Sequence, residues 1–113
     1  MSTSVKKDSE EDRVDNTVNS VVICGRVSSV GVEKTLPSED RVVEFRVVLT
    51  RENRTGVDVL DIGAWNSKAR RRALTLKIDE WVEIEGSIHR RFWKGPQGLA
   101  SRWQIEASDI TRI

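Results

Sequence analysis

Tryptophans next to arginines are the residues of this sequence whose chemistry most clearly indicates a function. Trp93 follows Arg90 and Arg91, and Trp103 directly follows Arg102. An indole ring is large and apolar, so a tryptophan on an exposed strand face is expected to have a partner. Flat rings can stack on unpaired nucleobases, at about 1–3 kcal/mol for each base, while cations follow the phosphate backbone. The combination indicates a surface that binds single-stranded nucleic acid.

Catalytic and cofactor chemistry find no support in the sequence. His89 and Cys24 are the only residues of their types and fall on different predicted strands, so neither a nucleophile–base pair nor a common zinc site can form. The glycines are scattered, with no P-loop or dinucleotide fingerprint. Glu83 and Glu85 share one strand face, which is typical of an exposed sheet. We therefore expect a binding protein that is not an enzyme and has no cofactor or metal.

Length and composition set the remaining bounds. The 113 residues correspond to one domain, and 19 basic against 18 acidic residues give a net charge of +1, which neither supports nor excludes a polyanion partner. With one cysteine no internal disulfide can form, which fits a reduced cytoplasmic setting. No apolar run approaches the roughly 20 residues of a membrane helix, and we see no signal peptide.

The sequence divides into a polar tail and one domain. Residues 1–17 are polar, net acidic and without hydrophobic periodicity, which predicts a disordered tail. Residues 18–113 contain the apolar patterns. Predicted strands cover 21–27, 43–50, 57–65, 81–93 and 103–113, with a short helix over 67–76.

Local signals mark two boundaries in this pattern. Asn66 or Ser67 can cap the helix, and Gly86 indicates a bulge in the fourth strand. The order of the elements is that of a mainly β OB-fold, a five-stranded Greek-key barrel with one short helix between strands 3 and 4. This fold often binds oligonucleotides. Other small α+β domains share the order.

Strand parity separates outward from inward residues. Val82, Ile84 and Ile88 form the inward face of the fourth strand, which places Phe92 in the packing and turns Trp93 outward. Trp65 likewise opposes the apolar residues of the third strand. The predicted nucleic-acid-binding residues are Arg26, Arg46, Trp65, Arg90, Arg91, Trp93, Lys94, Arg102 and Trp103.

Structural roles are the alternative for several of these residues. Trp103 can instead serve a subunit interface. Trp81 lies among acidic residues, so we expect it to pack. The basic run Lys68–Arg72 points to different sides of its helix, which favours a solvated face. Cys24 is expected in packing or at an interface rather than as a reactive thiol.

The segments taken together resemble the bacterial single-stranded DNA-binding proteins. Residues 19–26 are similar to the opening strand of that family, and residues 82–93 are the closest match, with an acidic–glycine pair, a basic stretch and an aromatic. Further similarity lies in residues 42–48, 62–69 and 102–106. The resemblance implies sequence-non-specific binding of single-stranded DNA in replication, recombination and repair. It also implies a nucleoid-associated homotetramer built from dimers through the first strand, with a dimer as the alternative.

The sequence departs from that family in specific places. Val59 and the loop 51–53 stand where the family often has aromatics, and no acidic tail follows Ile113. Either that tail has been removed from this chain or the protein is a tail-less relative, in which case recruitment of replication and repair proteins is not expected. The alternative function is a primosomal-type OB-fold assembly protein with weak DNA binding. A third is an OB-fold domain that binds no nucleic acid.

Overall fold

Five strands and one helix follow each other in the order that the sequence predicts. The structure is a computed structural model that describes residues 14–113. Of the predicted disordered tail, residues 14–17 are exposed and have no regular secondary structure, and residues 1–13 lie outside the described residues. The elements are β1 Val21–Thr35, β2 Arg41–Thr50, β3 Val57–Ala64, α1 Ser67–Leu74, β4 Trp81–Gly95 and β5 Gly98–Arg112.

The strands close into a barrel because β1 pairs with two neighbours. The first part of β1 is antiparallel to β4, and from Arg26 onward it is antiparallel to β2. Strands β3 and β5 run parallel and complete the order β1-β2-β3-β5-β4. Gly25 directly precedes the residue at which β1 passes from β4 to β2, and a Cβ there would lie 2.9 Å from a methyl carbon of Leu49. This closed barrel with one helix between β3 and β4 is an OB-fold, which confirms the predicted fold class.

The barrel interior is filled by the residues that alternate along the strands. Phe45, Ile62 and Ile84 are buried at its centre, and Ala69 and Ala73 of α1 pack onto the same cluster. Asn66 is the N-cap residue of α1, since its Oδ1 accepts a hydrogen bond from the backbone nitrogen of Ala69 at 2.7 Å. The predicted cap is therefore confirmed.

Strands β4 and β5 extend beyond the barrel as a two-stranded arm, which we call the hairpin arm (residues 88–104). The last pair between β1 and β4 joins Val21 to Gly86, where β4 also shifts register against β5 as predicted. From His89 and Gln104 onward, β4 and β5 pair only with each other as far as Gly95 and Gly98. Asn19 closes the root of the arm, because its carboxamide exchanges hydrogen bonds of 2.7 and 2.8 Å with the backbone of Ile88.

Several sequence-based expectations are corrected by these boundaries. Strand β1 continues to Thr35, beyond the predicted end at Val27, and β5 begins at Gly98. Phe92 has the inward parity but is 59% exposed, because the barrel ends before the arm reaches it. Trp81 is 52% exposed rather than packed. Cys24 is exposed in this single chain, so it does not pack in the barrel, and its expected place at an interface stays a prediction. Among residues 14–113 no helix has the length and apolarity needed to cross a membrane.

Candidate nucleic-acid interface

The register of the hairpin arm sorts its side chains into two faces. Residues directly opposite each other in an antiparallel pair share a face. Arg91 opposes Arg102, and Trp93 lies two residues further along the same face, which we call the groove face. Arg90 opposes Trp103 on the other side of the arm.

A cleft runs between the groove face and the barrel. It has a volume of about 660 Å³ and lies between the arm, the end of β1 and the turn that follows it. The cleft continues across β2 and β3 to Arg46 and Asp61. Residues that line the first part include Lys34, Pro37, Glu44, Arg91, Trp93 and Arg102. Cations therefore border an apolar ring along an open groove.

Two indole rings on this side of the molecule each have an arginine beside them. Trp93 is 45% exposed, and the guanidinium carbon of Arg102 lies 5.7 Å from its ring centre. Trp65, at the end of β3, is half-buried, and Arg91 lies over its ring at 4.0 Å. The buried indole nitrogen of Trp65 has no hydrogen-bond partner. Trp93 thus offers a ring to a ligand, whereas Arg91 offers a guanidinium plane backed by a ring, and unpaired bases stack on both kinds of surface.

Carboxylates hold the cations of the groove in place. Asp61 accepts from Arg46 at 2.8 Å and lies 3.6 Å from Arg102. Glu44 lies 2.7 Å from the ammonium of Lys34. These carboxylates orient the cations, but they also oppose a polyanion in the same groove.

Glu44 is ionised more readily than an ordinary glutamate. Partial burial by itself raises the pKa of Glu44. Hydrogen bonds from Lys34 and Gln104, together with the charges of Lys34 and Arg91, lower it by more than burial raises it, so the pKa lies below the usual value. The groove floor consequently keeps this negative charge at neutral pH.

Gln104 links the floor of the groove to the barrel. It is 5% exposed, and its Nε2 donates to Glu44 at 3.0 Å. Its Oε1 is buried without a hydrogen-bond partner and packs against Gly63, where a Cβ would lie 2.2 Å away. A glycine at position 63 leaves the space that Gln104 needs to hold Glu44.

The structure brings some of the predicted site residues together and separates others. The groove contains Arg46, Arg91, Trp93 and Arg102, with Lys94 near the tip of the arm and Trp65 beneath Arg91. Arg90 and Trp103 lie on the opposite face of the arm. Arg26 is far from the groove in the fold, beside Trp81 in the β1–β4 ladder and 3.0 Å from Asp79.

Lys34, Glu44, Asp61 and Gln104 were missed by the sequence reasoning. Lys34 lies in the part of β1 beyond the predicted end of that strand. The other three are polar residues whose strand parity predicts an outward, solvated side chain, and only the structure shows that Gln104 is buried. Alternation could have placed them on the outward face, but not beside the arginines.

The model of the single-strand binding protein family matches residues 18–113. This chain belongs to the single-strand binding protein family. A solved structure similar to this family member is the Plasmodium falciparum SSB complex with ssDNA, at 21% identity and a TM-score of 0.69, covering 89% of this chain and 99% of that chain. No curated protein matches the chain in sequence. At this identity the structural likeness supports the OB-fold of this single-strand binding family member.

Proposed function

We propose that the protein binds single-stranded DNA without catalysis and with little sequence preference, in replication, recombination and repair. Membership of the single-strand binding protein family supports binding of this class of ligand. The similar Plasmodium structure is a complex with ssDNA. The single observation that carries the mechanism is Trp93, which is 45% exposed in a groove bordered by Arg91 and Arg102.

The proposed mechanism divides the work between rings and cations. Bases stack on Trp93 and on the Arg91 guanidinium above Trp65, because every base has a π-face and stacking does not depend on sequence. Arg46, Arg102 and Lys94 neutralise phosphates, and the charge of Arg91 neutralises one phosphate beside the base that stacks on it. Each neutralised phosphate releases counterions, so affinity falls as salt concentration rises.

Replacement of Trp93 tests this mechanism. Trp93→Leu removes a ring and no charge, so the affinity for a labelled oligo-dT should fall about tenfold at every salt concentration, which corresponds to one lost base stack. Fluorescence anisotropy measures it. Trp81→Leu is the matched control, because Trp81 is similarly exposed but lies at the other end of β4. Equal affinities of the two variants would show that the ring does not carry binding.

We also propose a homotetramer, with contacts between subunits through β1. Val22 and Cys24 are exposed on the same side of β1 and expose an apolar strip there, which supports association. Sedimentation would give the mass directly, and a monomer at micromolar concentration would contradict this part of the proposal. The expected setting is the cytoplasm, in association with the nucleoid.

A primosomal-type assembly protein with weak DNA binding is the second candidate. The carboxylates of Asp61 and Glu44 favour it, because they lie in the groove and neutralise Arg46 and Lys34. Under the first candidate, oligo-dT binds tightly at low salt and quenches tryptophan fluorescence strongly. Weak quenching together with a dimeric mass would favour the second.

A further inference from the structure

The side of the hairpin arm that faces away from the groove carries a second aromatic surface. We call it the rear face, and its register positions alternate with those of the groove face. Its members by register are Ile88, Arg90, Phe92, Lys94, Leu99, Ser101 and Trp103. Near the tip of the arm, Phe92 and Lys94 also border the cleft. The rear face therefore has two cations, four large apolar side chains and no acid.

Arg90 is fixed between the two rings of this face. Its Nη2 and Nε donate to the hydroxyl of Ser101 at 2.8 and 3.1 Å. Its guanidinium carbon lies 5.3 Å from the ring centre of Trp103 and 5.9 Å from that of Phe92. A guanidinium near two rings, at cation–π distance from each, is a preorganised arrangement of the groups that bind bases and phosphate.

The barrel does not need these rings for its own packing. Phe92 and Trp103 are each 59% exposed, and both lie beyond the point at which β1 leaves β4. Adjacent exposed apolar side chains on a single domain indicate a surface that binds something. The fold leaves both long edges of the arm unpaired between Arg90 and Trp103 in the described chain, so a ligand can pass from one face to the other.

We infer that the rear face binds a second stretch of the same DNA strand, which passes round the edge of the hairpin arm. The inference rests on the proposed function. Neighbouring strands are about 4.8 Å apart, so an arm of two strands is narrow enough for a few nucleotides to turn round it. Bases stack on Trp103 and Phe92, and Arg90 neutralises a phosphate beside them. The rear face is free of the carboxylates that oppose phosphate in the groove.

A second copy of the chain is the other partner that could cover the apolar rings of the rear face. A two-fold contact through the rear face would bring two equivalent surfaces together. Each surface would contribute Arg90 and Lys94 and no acidic residue to neutralise them. Desolvating like charges without a partner is unfavourable, so the charge pattern favours a polyanion.

Oligonucleotides of two lengths distinguish binding at the groove face from binding at the rear face. OB-folds occupy about 4–16 nucleotides, so oligo-dT of about 8 nucleotides fills the groove and one of about 30 nucleotides reaches both faces. Trp103→Leu and Arg90→Gln should leave the affinity for the short ligand within about twofold and weaken the long one about tenfold. Trp81→Leu is again the control for loss of an exposed indole. Ultraviolet crosslinking of the long ligand, followed by peptide mapping, should give adducts at Trp103, which does not line the cleft.

Each outcome decides between the proposals. If Trp93→Leu weakens both ligands but neither rear-face variant weakens the long one, the inference is wrong and the proposed function stands. If Trp93→Leu changes neither ligand, the proposed function fails. If Trp103→Leu lowers the mass in solution and leaves affinity unchanged, a second copy covers the face and the inference is overturned. Arg90→Lys retains the charge but loses the two hydrogen bonds that Arg90 donates to Ser101. An intermediate affinity of this variant for the long ligand would therefore support a role for the fixed guanidinium.

Discussion

The guanidinium of Arg91 lies 4.0 Å from the ring centre of Trp65, and this contact joins the hairpin arm to the end of β3. The two residues come from elements that are not neighbours in the barrel order. The contact therefore fixes the arm relative to the barrel and lays a cationic plane along the groove. The effect of this cationic plane on binding can be tested by changing the arginine alone.

Arg91→Gln should weaken binding of oligo-dT and make it less dependent on salt. The loss of one phosphate contact lowers the slope of log affinity against log salt concentration by about 1. Titrations at several salt concentrations measure it. Arg71→Gln, on the exposed side of α1, is the matched control and should keep the slope. Parallel slopes for all three proteins would mean that Arg91 does not contact phosphate.

Asp61→Asn should increase affinity. The carboxylate of Asp61 binds Arg46 and lies near Arg102, so its neutralisation frees two cations for phosphate. The gain should be on the order of 1 kcal/mol, largest at low salt, because exposed ion pairs of this kind are screened. Asp58→Asn removes a similar ion pair, to Arg51 at 2.9 Å, away from this contact. A gain from Asp58→Asn as large as that from Asp61→Asn would indicate a general effect of net charge.

Gly86→Ala should destabilise the fold by about 1–3 kcal/mol or more. A Cβ at Gly86 would lie 2.0 Å from the backbone oxygen of Glu106, which no side-chain rotation relieves. Urea unfolding followed by circular dichroism measures the change. Gly95→Ala, at the tip of the arm, is the control, because its nearest contact would be an ordinary 3.5 Å. Equal unfolding midpoints for the two variants would contradict the close approach at the bulge.

Glu44 should contribute stability that depends on pH. Its pKa is lowered in the folded state, so the contribution is present above the ordinary glutamate value of about 4.3 and is lost as pH falls through the lowered pKa. Glu44→Gln should therefore be less stable than the natural protein at about pH 6, by no more than about 1 kcal/mol for this partly exposed group. The difference should shrink in acid.

Urea midpoints at about pH 6 and about pH 3 measure this difference. Glu52→Gln, in the loop between β2 and β3, removes the same charge from an exposed site and serves as the control. A deficit of Glu44→Gln that stays constant across this range would exclude a role for ionisation.

Alternation along the chain was enough to predict the barrel and the faces of its strands. Val43, Phe45 and Val47 at alternate positions of β2 are buried, the cap at Asn66 starts α1, and Gly86 forms the bulge. Trp93 and Arg91 share the outward face that their parity indicates. These features depend on short-range geometry, which residue type and spacing specify directly.

Where the barrel ends was decided by the tertiary structure. Parity gives Phe92 an inward position, but it is exposed because β1 leaves β4 at Gly86 and no element covers the arm beyond. That boundary depends on pairing between segments about 65 residues apart in the chain. Pairing of β4 with β5 puts Trp103 beside Arg90 on the face away from the groove, although each stands next to a groove residue in the sequence. Packing of distant strands, rather than local pattern, therefore determines which cations and rings act together.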